Sequence, residues 1–253
     1  MLNYVEYGKE NKYDDDIFFQ KYSQMSRSQQ GLAGAGEWET LRKLLPDFKD
    51  KRVLDLGCGY GWHCIYAMEH GASSVVGVDI SHKMLEVAKE KTHFPQVEYK
   101  CCAIEDVEFP EESFDVILSS LAFHYVADYE ILVKKIYRIL KSGGNLVFTV
   151  EHPVFTAYGT QDWYYNKKGE ILHFPVDNYY YEGKRTAVFL GEKVTKFHRT
   201  LTTYLNTLLS NGFIINHIVE PQPPENMMDI PGMRDEMRRP MMLIVSANKK
   251  VDR

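Results

Sequence analysis

The sequence predicts an α/β fold in which helices cover both faces of a mostly parallel β-sheet. Two observations indicate this class. Short apolar segments alternate with segments of helical period between residues 52 and 153, and this alternation is typical of βαβ units. A turn with three spaced glycines, VLDLGCGYG, follows the first apolar segment, at the sheet edge where such folds bind nucleotides. The 253 residues suffice for one sizeable core with an inserted or appended piece.

Residues 1–50 are interpreted as a helical lead-in, or cap, to the sheet. A Gly/Ala stretch at 31–36 has the composition of a hinge, and a predicted helix follows it and ends before Pro46. The chain starts with MLNYVEYGKENKYDDD, which is too polar and acidic to match a signal peptide. We expect the lead-in to close over the ligand site.

Residues 51–153 contain the regular alternation and are predicted to be the core domain. Apolar segments predict strands at 52–57, 73–80, 97–104, 113–120 and 145–153. Segments of helical period predict helices at 62–71, 81–91 and 128–140. Gly71 closes the first of these helices, and Ser81 is the predicted N-cap of the second. The third is expected to stop before Ser142.

The alternation ends at Pro153. Residues 154–198 are rich in tyrosine and have no helical period, so they are interpreted as a small strand-rich insertion over the active site. Residues 199–253 are predicted to return to the core. They contain a helix in TLTTYLNTLLSNG, a strand in FIINHIVE, a loop or helix, and a final strand in PMMLIVSAN.

Composition excludes several classes of partner. The net charge of −5 predicts no broad basic face, so nucleic acid is not an expected partner. No segment approaches the roughly 18 apolar residues of a membrane span. Cys58, Cys64, Cys101 and Cys102 have neither paired metal-ligand spacing nor an ordinary disulfide pattern. We therefore expect no metal site, and reduced thiols in a cytoplasmic protein.

The glycine spacing separates two classes of nucleotide. The dinucleotide fingerprint G-x-G-x-x-G has a third glycine where the helix packs closely on the strand beside a pyrophosphate. In this chain that position is Trp62. The glycines instead form D-x-G-x-G-x-G, which begins at Asp55 and suits a ligand without a pyrophosphate. Asp79, at the end of the second predicted strand, is placed to accept hydrogen bonds from both hydroxyls of a ribose in either class of ligand.

Four stretches in order resemble motifs of the class I S-adenosylmethionine-dependent methyltransferases, in particular the ubiquinone/menaquinone-biosynthesis-type (methyltransferase type 11) group. They are VLDLGCGYG, VVGVDIS, CCAIEDVEFPEESFDVILSSLAFHYV and LKSGGNLVFTVEHP, within roughly residues 50–152. The resemblance implies a Rossmann-like sheet of seven strands with an antiparallel last strand. It also implies S-adenosylmethionine as methyl donor and S-adenosylhomocysteine as product. One position departs from the family, because Ala103 stands where an Asp often bonds the adenine amino group.

The motifs predict a set of cofactor-binding residues. Asp79 is expected to bind the ribose, and Ser119 is expected to lie near the methionine end. Tyr22 and Arg27, in the lead-in, are expected to close over the cofactor. The other predicted residues surround the methionine and the adenosine: Asp55, Gly57, Cys58, Gly59, Ile80, Met84, Ile104 and Glu105.

No catalytic motif is obligatory, because transfer from a sulfonium mainly requires alignment of the reacting atoms. A general base is needed only when the acceptor keeps its proton near neutral pH. His124 follows the fourth predicted strand and is one candidate base; a histidine bonded to the backbone is an equal alternative. Glu151 and His152 follow the fifth strand, where a turn that leads the chain into the insertion is the alternative.

The sequence therefore predicts methyl transfer to a small-molecule acceptor by in-line displacement. Two other functions stay open at this point. One is a protein that binds S-adenosylmethionine without catalysis, as a sensor or an assembly factor. The other, disfavoured by Trp62, is an NAD-linked oxidoreductase. The sequence does not predict the acceptor, the methylated atom or the oligomeric state.

Overall fold

A computed structural model describes residue 9 and residues 11–251 of the chain. Residues 1–8 and 10, which belong to the predicted lead-in, lie outside the described residues, as do residues 252–253. The strands in chain order are β1 (Arg52–Leu56), β2 (Ser74–Asp79), β3 (Val97–Cys101), β4 (Phe114–Ser120), β5 (Leu140–Glu151), β6 (Tyr164–Tyr165), β7 (Ile171–His173), β8 (Gly183–Phe189), β9 (Glu192–His198), β10 (Phe213–Val219) and β11 (Met242–Lys249).

The helices alternate with these strands or precede them. In chain order they are α1 (Asp16–Ser23), α2 (Ser26–Gln29), α3 (Trp38–Leu41), α4 (Trp62–Glu69), α5 (His82–Lys91), α6 (Tyr129–Ile139), α7 (Pro153–Ala157), α8 (Leu201–Ser210) and α9 (Met233–Glu236). Short 3₁₀ turns lie at Lys12–Asp14, Gly31–Gly34, Ile104–Asp106, Phe123–Tyr125 and Glu225–Met227. Among the described residues, none of these helices combines the length and apolar composition that crossing a membrane requires.

Seven strands form one sheet in the order β10-β11-β5-β4-β1-β2-β3. Strands β1 to β5 pair in parallel, and β11 runs antiparallel to both of its neighbours. The predicted fold class, with its antiparallel last strand, is confirmed. The chain order reverses between β1 and β4, so the carboxyl ends of these two strands border a crevice of the kind that binds ligands in α/β folds.

Helices cover both faces of the sheet because successive side chains of each strand point to opposite faces. In β1, Leu54 packs into the apolar cluster that holds α6 and α8, whereas Val53 packs into the cluster that holds α3 and α4. Both side chains are fully buried. The predicted N-cap is also present, since the Ser81 Oγ accepts a hydrogen bond from the Met84 N–H at 3.1 Å and starts α5.

The structure differs from the sequence prediction at several element boundaries. Strand β3 ends at Cys101, three residues before the predicted end, and α3 ends at Leu41, well before Pro46. Strand β5 begins at Leu140 and runs through Ser142, although this segment was predicted to be a break. Pairing with β4 extends the strand, and a shift of register between Phe114 and Val116 accommodates the glycines. The insertion is not made of strands alone, because α7 starts it. Pro153 occupies the first turn of α7, and the Nδ1 atom of His152 accepts the Val154 N–H as its N-cap.

The lead-in and the insertion pack on each other beside the sheet. Phe18 of α1 forms a small apolar cluster with Ala187 of β8 and Val194 of β9, and all three side chains are buried. The carboxylate of Asp14 accepts the Ser81 hydroxyl at 2.6 Å and so ties the lead-in to the start of α5. The two segments predicted to lie near the ligand site are therefore fixed at the carboxyl end of the parallel strands.

Candidate active site

A cavity of about 210 Å³ opens at the carboxyl ends of β1, β2, β4 and β5. The lead-in closes one side of it, and β8 and the start of β11 contribute to another. Eleven of the predicted site residues line this cavity: Tyr22, Arg27, Gly57, Gly59, Asp79, Ile80, Met84, Ile104, Glu105, His124 and Glu151. The fold thus brings together residues that lie far apart in the sequence.

The glycine turn after β1 forms the floor of the cavity. The backbone N–H groups of Gly57 and Cys58 both donate to the Val78 carbonyl, at 2.8 and 2.9 Å, which fixes the turn against β2. Gly57 has a φ of +79°, and a Cβ atom there would lie 2.4 Å from the Ala122 Cβ. Only glycine fits this position, because its φ is positive and Ala122 occupies the space that a side chain would need.

Asp79 lies at the end of β2, beside the glycine turn. Its Oδ2 accepts the Gly59 N–H and its Oδ1 accepts the Ser81 N–H, each at 2.9 Å. Burial raises the pKa of this carboxyl, against the effect of those two backbone hydrogen bonds. Each carboxylate oxygen keeps a second acceptor position, which is what two vicinal hydroxyls of a ribose require.

Apolar side chains flank the carboxylate on both sides. Ile80 and Met84 line the cavity from the turn after β2 and the first turn of α5, and Ile104 lines it from the turn after β3. Ala103, which replaces the expected Asp, lines the same wall and contributes no hydrogen-bonding side chain. The slot between these residues suits a flat, largely apolar heterocycle such as adenine.

A second cavity of about 80 Å³ adjoins the glycine turn and is lined by Tyr22 and Arg27 as well. The Arg27 Nη2 donates to both carboxylate oxygens of Glu37, at 2.9 Å each. Glu37 is only 2% exposed, so the guanidinium is held firmly at the side of the turn. A fixed guanidinium of this kind suits a carboxylate ligand, because charge-assisted hydrogen bonds to carboxylates are strong and directional.

Four predicted residues lie outside the wall of the main cavity. The Ser119 Oγ donates to the Leu56 carbonyl at 2.7 Å, and Ser120 lines the cavity instead, because adjacent side chains of a strand face opposite ways. Cys58 is buried and borders only the second cavity. Asp55 is buried beneath the turn, and His152 is occupied as the N-cap of α7.

A polar network lies where β4, β5 and the insertion meet. His124 is 2% exposed, and its Nδ1 lies 3.4 Å from the Glu151 backbone N–H. The two carboxylate oxygens of Glu151 accept the Lys196 Nζ at 2.5 Å and the Gln161 Nε2 at 2.6 Å. Lys196 also donates to the Gln161 Oε1 at 2.8 Å, which closes a triangle of side chains.

The charges in this network shift two pKa values. Burial lowers the pKa of His124 to about 4, although the Glu151 carboxylate opposes the shift. Burial by itself raises the pKa of Glu151, but the His124 ring and the Lys196 ammonium outweigh it and lower the pKa of that carboxyl. Near neutral pH the network therefore contains a neutral imidazole, a carboxylate and an ammonium.

The sequence interpretation missed five other residues that line the cavity. Two of them are Tyr13 and Tyr125, whose hydroxyls lie 3.4 Å apart. Phe189 comes from β8, Met242 begins β11 and Met241 directly precedes it. All five residues line the cavity. No local pattern marks these positions, because they meet only through the packing of the lead-in, the insertion and the last strand. Within residues 9 and 11–251, His, Cys, Asp and Glu side chains form no group of three arranged to hold a metal.

Asp55 gives a testable pH dependence. Its Oδ2 accepts from the Cys64 Sγ at 3.5 Å, and its buried Oδ1 has no partner in the described part of the chain. Burial raises the pKa of Asp55 to about 7, and Asp79 adds to this shift. Between about pH 4 and 7 the folded state keeps a proton that the unfolded chain releases, so the stability contributed by this group falls as pH rises, by up to about 1.4 kcal/mol per pH unit.

We expect Asp55→Asn to gain stability relative to the unsubstituted protein as pH is raised from 5 to 7, because the amide does not ionise. Urea unfolding at pH 5, 6 and 7, without ligand, measures the difference between the two proteins. A difference that stays constant over this range would show that Asp55 does not titrate in the window. The exposed Glu111→Gln serves as a matched control and should show no such trend.

Comparison with known proteins shows similarity to methyltransferases in both sequence and structure. A family model described as a methyltransferase domain matches residues 54–148. A crystal structure from Listeria monocytogenes, assigned to the S-adenosylmethionine-dependent methyltransferases, is 57% identical, covers 87% of this chain and 99% of its own, and has a TM-score of 0.83. The S-adenosylmethionine-dependent methyltransferase of Mesorhizobium loti is 41% identical, covers 86% and 100%, and has a TM-score of 0.80. A ubiquinone biosynthesis O-methyltransferase of Coxiella burnetii is 35% identical over 112 residues, which are 44% of this chain and 47% of that protein.

Proposed function

This chain belongs to the class I S-adenosylmethionine-dependent methyltransferases, and we propose that it methylates a small organic acceptor by in-line displacement. S-adenosylmethionine supplies a methyl group on a sulfonium, which needs no further activation. The protein contributes alignment of the two reactants. Holding reactants in the correct geometry lowers the activation barrier by up to about 7–11 kcal/mol. One observation carries the proposal: the glycine turn, Asp79 and several aromatic side chains line a single cavity.

The residues present fit the cofactor. Gly57 and Gly59 line the cavity and have no side chains, so we assign the adenosine and the methionine tail to the backbone of this turn. We assign the ribose to Asp79, whose two oxygens keep acceptor positions. Ile80, Met84 and Ile104 are assigned to the faces of the adenine.

The lead-in is assigned to the methionine end. Arg27 carries the charge that suits the methionine carboxylate, and Tyr22 lies in the wall beside it. Together they hold the tail of the cofactor and keep water from the reacting atoms. The positive charge of Arg27 is already balanced by Glu37, so the pocket is able to accept a zwitterionic tail without a large net charge.

The acceptor is assigned to the remaining part of the cavity. Tyr13, Tyr125 and Phe189 give it aromatic walls, and Met241 and Met242 give it adaptable apolar surface. Pockets for small organic molecules have this character, with few polar anchors. The net charge of −5 disfavours nucleic acid, which needs a surface that neutralises phosphates. All four cysteines are free thiols, which supports the proposed cytoplasmic location.

The first test concerns the choice of ligand. We expect S-adenosylhomocysteine to raise the melting temperature, because a ligand that binds only the folded state stabilises it by about 2.7 kcal/mol at 100 times its Kd. NAD should give no comparable shift at the same concentration. A larger shift with NAD or NADH than with either sulfur nucleotide would contradict the assignment of the cavity.

Turnover separates an enzyme from a protein that only binds the nucleotide. Incubation with S-adenosylmethionine and a metabolite extract should produce S-adenosylhomocysteine, together with a compound heavier by one methyl group, as detected by mass spectrometry. The same extract without the protein is the control. Tight binding with no such product would favour the non-catalytic alternative.

A further inference from the structure

His124 has a defined tautomer in this structure. Its Nδ1 lies 3.4 Å from the backbone N–H of Glu151, which is able only to donate. The Nδ1 atom therefore carries the lone pair, and a neutral ring carries its proton on Nε2. In the described part of the chain, the hydrogen bond of this ring is made at Nδ1, and His124 lines the cavity. The side chain thus presents a hydrogen-bond donor, not a base, to the acceptor part of the cavity.

The orientation of the ring is fixed by the segment to which it is bonded. The Glu151 side chain is clamped by Lys196 from β9 and by Gln161 from the insertion, so the Glu151 backbone is held as well. His124 also packs on Tyr125, with ring centroids 4.5 Å apart. The contacts among Glu151, Lys196 and Gln161 hold the insertion to the end of β5. They also keep the Glu151 carboxylate paired, so it is not available to take a proton.

We propose that His124 positions the methyl acceptor by donating its Nε2–H to an oxygen lone pair, and that the acceptor is a planar molecule with a carbonyl-type oxygen beside the methylated atom. The proposal rests on the proposed function and goes beyond it by naming the substrate class. The aromatic walls from Tyr13, Tyr125 and Phe189 favour planarity. A ligand that covers this N–H without accepting a hydrogen bond from it leaves a donor unsatisfied, which is costly, so ligands without such an oxygen are selected against.

The tautomer is tested without any knowledge of the acceptor. Long-range ¹H–¹⁵N NMR of histidine-labelled protein distinguishes the two ring nitrogens, and the signals that disappear in His124→Gln assign this residue. We expect a protonated Nε2 and an unprotonated Nδ1 at pH 7. The opposite tautomer, or a doubly protonated ring, would overturn the proposal.

The donor is tested with two probes of matched shape. Acetophenone carries a carbonyl oxygen, whereas α-methylstyrene has a CH₂ group in its place. We expect the protein saturated with S-adenosylhomocysteine to bind acetophenone about tenfold more tightly, as measured by ligand-observed NMR. His124→Leu should remove this preference, and His124→Gln, whose amide NH₂ reaches a similar position, should retain much of it. The exposed His93→Leu is the matched control and should leave the preference unchanged.

The outcomes separate this proposal from the proposed function. Failure of S-adenosylhomocysteine to bind would refute the methyltransferase assignment itself. Binding of S-adenosylhomocysteine with equal affinity for the two probes, or with affinity for neither, would leave that assignment standing and refute the donor at His124. If His124→Leu does not fold, the NMR tautomer and the probe preference of the unsubstituted protein still decide the question.

Discussion

The Lys196→Met substitution is expected to lower the free energy of unfolding by about 3–5 kcal/mol, the range for breaking one side of a buried ion pair. Lys196 is 2% exposed, and its ammonium is the cation that faces the Glu151 carboxylate, at 2.5 Å. Methionine fills a similar volume but, among the described residues, leaves that carboxylate with the neutral amide of Gln161 as its one bonded side-chain partner. The loss follows from the uncompensated buried charge and not from lost packing.

Urea unfolding at pH 7 measures this effect. The double variant Glu151→Gln/Lys196→Met should recover most of the loss, because it removes the charge that the single variant leaves unpaired. Lys193→Met, on the exposed face of the same strand, is the matched control and should change stability by less than about 0.5 kcal/mol. A loss below 1 kcal/mol for Lys196→Met would show that water reaches the pair.

Asp79→Ala is expected to weaken S-adenosylhomocysteine binding by about 1.5–3 kcal/mol, or roughly 10- to 150-fold in Kd. The carboxylate is the acceptor that we assign to the ribose hydroxyls. It also accepts the Gly59 N–H at 2.9 Å, so the substitution removes a hydrogen bond that orders the glycine turn. The ligand would then have to order this turn when it binds, which lowers its affinity. Both effects act on binding in the same direction.

Titration calorimetry gives the affinity, and thermal unfolding without ligand shows whether the variant is folded. Asp79→Asn keeps one acceptor oxygen and should give an intermediate loss. The exposed Glu111→Ala removes one carboxylate elsewhere on the surface and should leave the affinity unchanged. Unchanged affinity in a folded Asp79→Ala protein would remove this residue from the proposed site.

The fold class and the glycine-turn part of the cavity wall were predictable from the sequence because both depend on local patterns. The alternation of apolar and helix-periodic segments predicts a parallel sheet, and the structure has one. The position of Gly57 and that of Asp79 follow from the same patterns, since a turn with positive φ needs glycine and a strand end has a defined place in the sheet. Such features are encoded within about ten residues and do not depend on distant packing.

The part of the cavity that we propose for the acceptor was decided only by the tertiary structure. Lys196 and Glu151 are 45 positions apart, and no periodicity pairs them. Ser120, and not Ser119, lines the cavity, and this depends on which side of β4 faces the cavity. The sequence of β4 does not predict that side, because a buried strand has apolar residues on both faces.

The sequence by itself thus determined the parallel sheet, the glycine turn and the carboxylate at the end of β2. Only the tertiary structure decided how the lead-in, the insertion and β11 converge on His124. The physical reason is the range of the interactions. Backbone geometry and side-chain periodicity act between near neighbours in the chain, whereas the walls of the proposed acceptor pocket are contacts between segments whose positions are set by burial of the shared core.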